Sequence, residues 1–481
     1  MKTDQGIWAG RYLPVTLANL TIIAIAAFDG LAIVAALPNI TKDLGDVGLV
    51  PWVITAYLAT SAVAVIVAGP VIDAVGVRRT FRVTGVWFLV WSAAAAAAPN
   101  MPALIAIRVM QGLGGGLVIA VALAAVGLAY PHELRPRAFA ANSLVWGGMG
   151  FGGPAVAGAL LTLGDWRSIF LVQLPLTGLA LAVGWRSLPS TRDRPAAIRI
   201  DWTGVALLTI VTISSLVAVS EIGARWWLAG VAVVVTASAA AAYWPHSGSV
   251  PHPVLHREHL TRYPLRWVHV TSGLVLVAGL ATDNYLPLYV QTTRGRSEGF
   301  AAFSLVFLTV GWTTGSVMFS RVLYRWREAD VVLLGGTLIV PAVMLSGLAI
   351  ALDWPLAVVF AGFTVIGLSI GFVSTAGLTL LQAGSAESEM GRTNAAHQFI
   401  RTLCITYGVA LGGAILLLVV DRRVGDIDAV REVLAGNDVE LGAETAGAIG
   451  AGLAWTTLVT VGVAIGCFAA ALRLARGSRR T

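Results

Sequence analysis

About fourteen apolar runs of near-equal length recur along this 481-residue chain, and each is long enough to cross a membrane as a helix. Roughly twenty apolar residues cover the ~30 Å of hydrocarbon in a bilayer. The runs fall at 13–37, 51–69, 82–99, 103–127, 138–161, 167–187, 203–220, 226–244, 268–290, 301–322, 331–352, 354–380, 397–420 and 446–472. With 57% hydrophobic and 12% charged residues, the chain is far from the mix of soluble domains. The first run is too long for a signal-peptide core, contains Asp29 and lacks a cleavage site, so it is expected to be a retained span.

An even number of spans places both termini on one side. With that side assigned to the cytoplasm, about 22 of the 32 lysines and arginines fall in cytosolic loops and span ends, and about 8 fall outside. This bias predicts a multi-pass protein of the inner (plasma) membrane with cytoplasmic termini. The net charge of +7 then reflects topology, and no nucleic-acid partner is expected. Trp52, Trp202, Trp226, Trp227, Trp244, Trp267 and Trp354 stand near span ends, where an amphipathic ring prefers the headgroup zone. Cys404 and Cys467 lie inside apolar runs, against a disulfide framework or thiolate metal site. His246, His252, His256 and His259 match no standard metal spacing, and Pro245–Trp267 reads as a solvated linker. Asp421–Thr445 places apolar residues at helical spacing among charges and is expected to be an external amphipathic helix.

Several ordered motifs accompany these spans. Gly69-Pro70-Val71-Ile72-Asp73-Ala74-Val75-Gly76-Val77-Arg78-Arg79 fits G-x-x-x-D-x-x-G-x-R-R between spans 2 and 3. Span 1 ends Asp29-Gly30-Leu31-Ala32-Ile33-Val34-Ala35-Ala36-Leu37-Pro38, and span 4 carries Arg108-Val109-Met110-Gln111-Gly112. Span 5 has Gly153-Pro154-Ala155-Val156-Ala157-Gly158, and span 6 opens Asp165-Trp166-Arg167-Ser168-Ile169-Phe170-Leu171. Together they resemble the fourteen-span drug:proton antiporter branch of the major facilitator superfamily. There are departures. Met149 stands where the span-5 signature has a glycine, Ala157 replaces the first glycine of its closing pair, and Trp326 interrupts the equivalent C-terminal loop motif.

The resemblance implies an all-α major facilitator fold with 14 transmembrane helices in a 6 + 2 + 6 order. Residues 1–190 would form an N-terminal six-helix bundle, 191–245 two extra central spans, 246–267 a cytosolic linker and 268–481 a C-terminal six-helix bundle. It also implies that Gly69, Asp73, Gly76, Arg78 and Arg79, with Gly153, Pro154 and Gly158 of span 5, gate the conformational change. The expected activity is proton-coupled efflux of a hydrophobic or amphiphilic small molecule, cations included, by a monomer without metal or cofactor. Uptake by proton symport is the alternative.

Charge inside the bilayer points to the chemistry. A mid-membrane charge costs at least ~2.5–3.5 kcal/mol on insertion scales and usually faces a cavity or a partner. Asp29, Arg108 and Asp283 fall about 8–12 Å from the outer ends of spans 1, 4 and 9 at 1.5 Å per residue. A guanidinium beside Asp29 favours its carboxylate whereas burial favours the acid, and that opposition makes a proton switch. Asp29 and Arg108 are therefore the candidate proton-coupling pair. Asp283, its neighbours Asn284 and Tyr285, and Gln111 are candidate substrate contacts. Arg401, nearer the cytosolic end, is expected to pair with a carbonyl or lipid phosphate. The glycines of span 4 lie inside an apolar run and not after a strand, so they are read as helix-packing residues and not as a phosphate cradle. No span carries the paired carboxylates or histidine spacing of an enzyme active site.

Overall fold

The computed structural model describes residues 6–45, 49–190, 198–221, 225–323, 325–425 and 442–479. Among them every regular element is a helix. In chain order these are α1 (Leu13–Leu44), α2 (Val50–Val75), α3 (Val77–Ala96), α4 (Met101–Ala129), α5 (Arg135–Leu163), α6 (Arg167–Leu171), α7 (Gln173–Ser187), α8 (Trp202–Ser220) and α9 (Trp226–Ser249). Then come α10 (Arg257–Thr261), α11 (Leu265–Asp283), α12 (Leu286–Thr292), α13 (Glu298–Phe303), α14 (Leu305–Arg321), α15 (Glu328–Ala351), α16 (Leu356–Ala383), α17 (Met390–Val424) and α18 (Ala443–Ser478).

Local chemistry explains many of the boundaries. The Asn100 side chain accepts from the Ala103 amide at 2.9 Å and caps α4, with Pro102 in the first turn where a missing N–H costs nothing. Gly76 ends α2 and starts α3 at φ 87°, a backbone conformation that glycine adopts without strain. In α5 the axis bends by 42° between its Gly150 and Ala155 segments, across Gly153-Pro154, where proline removes a helix hydrogen bond.

Among the described residues twelve helical spans are long and apolar enough to cross a membrane, or thirteen with the bent α5 counted as one span. The missing run of the sequence reading is α3. Its 20 residues give the required length, but Arg78, Arg79 and Arg82 and two threonines dilute its apolar character. Three expected spans are broken: α6 and α7 part at Val172, α11 and α12 part at Asn284-Tyr285, and α13 and α14 part at Ser304. The segment Pro245–Trp267 is also more ordered than a solvated linker. Helix α9 continues to Ser249, Val254 and Leu255 are buried, and buried His259 on α10 packs edge-on against His269, ring centroids 6.1 Å apart. The apolar Val-Leu pair and the histidine ring supply the burial that the polar composition hid. Most of the expected external helix at Asp421–Thr445 lies outside the described residues.

The chain forms two compact units. The first comprises Met1–Val205, Val250–His256 and Gln382–Phe399. Within it α2 and α4 approach closely: a Cβ at Gly112 would stand 2.5 Å from the Tyr57 carbonyl, and one at Gly116 would stand 2.2 Å from that of Ser61. The glycines of α4 are thus packing residues, as small residues at membrane-helix contacts generally are. Ile33, Ile40, Val53, Met101, Leu104, Trp166, Ile169 and Phe170 form an apolar cluster at one end of this unit.

The second unit comprises Ala206–Ser249, Arg257–Leu381 and Ile400–Thr481. Its core includes Val359, Phe363, Ile366 and Ile370 of α16, all essentially without solvent exposure. Helices α8 and α9 are joined by a 2.8 Å hydroxyl contact between Ser214 and Thr236. Ser215 of α8 hydrogen-bonds the Tyr407 hydroxyl. Val231, Val233, Val234 and Val235 of α9 are exposed, as a lipid-facing surface requires.

Candidate functional site

The first unit encloses a polar network in otherwise apolar surroundings. Asp29 of α1 and Arg108 of α4 are both fully buried. The Arg108 Nη1 donates to Asp29 Oδ1 at 2.9 Å and to Oδ2 at 3.1 Å. The same nitrogen donates to Gln111 Oε1 at 2.7 Å, and Arg108 Nε donates to the Val53 carbonyl at 3.1 Å. The guanidinium also lies over the Tyr57 ring, 4.2 Å from its centroid, a favourable cation–π distance. The sequence reading paired Asp29 with Arg108, and the two do meet; Gln111, named there as a candidate substrate contact, bonds to Arg108 in the same network.

Three further members carried little sequence signal. Gln173, at the start of α7, donates through Nε2 to Asp29 Oδ1 at 3.0 Å. Its Oε1 accepts from Gln111 Nε2 at 3.3 Å and from Ser92 Oγ at 3.3 Å. Gln111 Nε2 also donates to Ser92 Oγ at 2.9 Å. Polar residues at Ser92 and Gln173 interrupt apolar runs, which is the one hint available. Tyr57 is the third.

This arrangement has a direct chemical meaning. Isolated in hydrocarbon, either charge would cost several kcal/mol, and their mutual attraction offsets this only with good geometry and satisfied lone pairs. Here Asp29 accepts from a guanidinium and an amide, so the carboxylate is well held. Adding a proton to Asp29 would cancel that attraction and free Arg108 towards Gln111 and the Tyr57 face. A group that binds a proton and simultaneously loosens a link between two helices can couple titration to motion.

The α2–α3 turn makes a second site in the same unit. Asp73 accepts from the backbone amides of Gly391 at 2.8 Å and Arg392 at 3.2 Å, the first residues of α17. The Arg392 Nε stands 3.9 Å from the same carboxylate. The orphan amides and dipole of a helix start offset part of the cost of burying this side chain. Gly69 allows the approach, because a Cβ there would stand 2.7 Å from the Arg392 Cα. Arg78 does not reach Asp73: its Nε donates to the Leu188 carbonyl at 2.6 Å, whereas Arg79 is half-buried beside it. Gly153 is buried in α5, and Gly158 is exposed with open space around it.

In the second unit Asp283 is the last residue of α11, at the break before α12. It is 8% exposed, and its Oδ1 has no hydrogen-bond partner among the described residues. Asn284 is exposed and its amide donates to the Leu280 carbonyl at 3.1 Å; the Tyr285 hydroxyl donates to the Val409 carbonyl at 3.0 Å. The three neighbours therefore do not converge on one point. Arg401 lies over the Trp312 ring at 5.9 Å, and its Nε has no hydrogen-bond partner among the described residues. No group of three histidine, cysteine or acidic side chains is placed to hold a metal among the described residues.

Residues 20–409 match the Major Facilitator Superfamily. The multidrug transporter protein MdtP of Bacillus subtilis (strain 168) is 24% identical over 416 residues, covering 84% of this chain and 76% of its own length. The probable multidrug-efflux transporter Rv1634 of Mycobacterium tuberculosis (strain ATCC 25618 / H37Rv) is 27% identical over 452 residues, covering 89% and 93%. The crystal structure of the human organic anion transporter MFSD10 (TETRAN) shares the fold, with a TM-score of 0.64, 14% identity, and coverage of 95% of this chain and 99% of that one.

Proposed function

The chain belongs to the major facilitator superfamily of membrane transporters, and from that premise we propose that it exports hydrophobic or amphiphilic small molecules, cations included, in exchange for protons. The observation that carries this reading is the buried Asp29–Arg108 pair, 2.9 Å apart within the Ser92, Gln111 and Gln173 network. The multidrug-efflux relatives favour export over uptake. Asp29 and Arg108 are the proton-coupling residues, and Gln111 reads the state of the pair from the substrate side. Transport follows alternating access, in which the α2–α3 turn with Gly69, Asp73, Gly76, Arg78 and Arg79 holds the start of α17 in one state and releases it in the other. Gly153 and Pro154 provide the bend in α5 that accompanies this exchange, and Gly158, just beyond it, leaves a smooth helix surface for the movement. A susceptibility and accumulation screen in an efflux-deficient host tests the reading. Its panel holds the cations ethidium and tetraphenylphosphonium with neutral chloramphenicol. Lower accumulation of at least one compound is expected, and unchanged accumulation of all would count against export.

Asp283, with Asn284 and Tyr285 beside it, lies in a break between helices, the kind of place where transporters bind substrate near the midplane. Its unpaired Oδ1 would stabilise a bound cation by about 1–3 kcal/mol, in line with charged hydrogen bonds. Asp283→Asn should then weaken binding of tetraphenylphosphonium about tenfold while sparing chloramphenicol. Equal losses for both would assign Asp283 to coupling or folding instead.

The proposed topology has fourteen crossings: the twelve apolar helices, the bent α5, and α3. Residues 1–190 and 268–481 form the six-helix bundles, 191–245 the two extra spans and 246–267 the cytosolic connection. The protein acts as a monomer in the inner (plasma) membrane with cytoplasmic termini. Single cysteines in a background lacking Cys404 and Cys467 test this. Pro99→Cys and Gly442→Cys should react with an impermeant maleimide from outside, and Arg137→Cys and Arg479→Cys only after permeabilisation. Reaction of Pro99→Cys from the inside alone would mean that α3 does not cross.

A further inference from the structure

A cavity of about 400 Å³ opens where the start of α11 meets the end of α18, lined by Tyr263, Arg266, Trp267, Arg473, Arg476 and Gly477. Both helices belong to the second unit, and both reach the membrane boundary here: the apolar span on α11 begins at Leu265, and that on α18 ends at Ser478. The Arg266 and Arg473 guanidiniums share one indole, at 4.8 Å and 5.1 Å from the Trp267 ring centroid. Among the described residues, none of the three arginines makes an ion pair with a carboxylate. The neighbouring acid at this end, Asp330, is taken by Arg479 at 3.2 Å. Tyr263 is tied to α18 through its hydroxyl, which donates to the Leu474 carbonyl at 2.9 Å, so the wall of the cavity is anchored.

Arg266, Arg473 and Arg476 are all exposed, and like charges gathered around one ring repel each other until an anion joins them. Guanidiniums also suit phosphate better than ammonium groups do, because their N–H forks match its oxygens in pairs. The surroundings are apolar on the membrane side. Val270, one helical turn deeper on the face of Arg266, is exposed, and so is Ala469, one turn deeper on the face of Arg473. The cavity therefore offers a cationic pocket with an exposed apolar strip directly beneath it, and an aromatic ring at the boundary between them.

We propose that this cavity binds the phosphodiester headgroup of an anionic phospholipid, with the acyl chains lying along the apolar strip below. Basic pockets between membrane helices bind anionic headgroups by this chemistry. The site is independent of the transport pathway and uses none of its residues. A free inorganic anion would meet the same arginines but would gain nothing from the strip, which is why the lipid is the favoured occupant.

Native mass spectrometry of the purified full-length protein tests the assignment with phosphatidylglycerol, phosphatidylcholine and inorganic phosphate as probes. Phosphatidylglycerol adducts should survive desolvation and exceed phosphatidylcholine adducts by about tenfold or more. The triple variant Arg266→Gln/Arg473→Gln/Arg476→Gln should lose that preference, and the corresponding triple lysine variant should keep part of it. If the triple glutamine variant does not elute as a folded species, Arg473→Gln alone should lower the preference at least threefold. Inorganic phosphate at millimolar concentration should displace no more phosphatidylglycerol than sodium chloride of equal ionic strength. Equal retention of the two lipids, an unchanged preference in the glutamine variants, or specific displacement by phosphate would each overturn the proposal, the last in favour of a free-anion site.

Discussion

Asp29→Asn is expected to reduce proton-driven efflux to the level of membranes lacking the protein. The substitution keeps the shape and one acceptor oxygen, but it removes the charge that Arg108 faces at 2.9 Å and the proton that the cycle moves. It also leaves a buried guanidinium without its counter-charge, a defect worth about 3–5 kcal/mol where one partner of a buried pair is removed. Loss of transport could then reflect loss of folding, so the double variant Asp29→Asn/Arg108→Gln is the needed companion. It removes both charges, should recover most of the thermal stability, and should remain without proton coupling. Asp29→Glu keeps a titratable group but adds a methylene to a fully buried network, at a typical cost of ~1–3 kcal/mol, and should retain measurable coupling. Recovery of coupled transport in the double variant would show the pair to be structural.

Asp73→Asn should lower the transport rate about tenfold or more while leaving the dissociation constant for substrate within roughly twofold. Asp73 touches the first amides of α17 and not the buried network around Asp29, so its energy belongs to one conformational state and not to the ligand. Two charge-assisted hydrogen bonds at ~1.5–3 kcal/mol each set the available bias, of which asparagine keeps one in weakened form. Gly69→Ala should act in the same direction, because its Cβ would meet the Arg392 backbone at 2.7 Å. Equilibrium dye binding measured beside initial transport rates separates the two outcomes. A parallel loss of affinity would place the turn in the binding site and contradict a gating role.

Much of this was legible in the chain, for identifiable reasons. The turn Gly69–Arg79 announced itself because its charges interrupt apolar runs, and the charges of Asp29 and Arg108 stood out for the same cause. What stayed hidden was the rotational setting of each helix. A helix that is apolar all round gives no face to read, and α4 is of that kind, so the bonds of Gln111 to Arg108 and Ser92 could not be foreseen. Gln173 and Ser92 gave only the weak signal of a polar residue in an apolar stretch. The partner of Asp73 proved to be the start of α17, more than three hundred residues further along the chain, which no local spacing can reveal. At the span count, arginines at the head of α3 both strengthen the topology argument and weaken its apolar character.

Proton exchange through Asp29 is tested most directly in proteoliposomes that contain a trapped pH indicator and start with an acidic lumen. The compound to add is the best-exported member of the screening panel. The account predicts that it accumulates in the lumen against its gradient while the lumen becomes alkaline, and that Asp29→Asn abolishes both changes. Accumulation without a pH change, lumenal acidification on substrate entry, or coupled exchange that survives Asp29→Asn would contradict it.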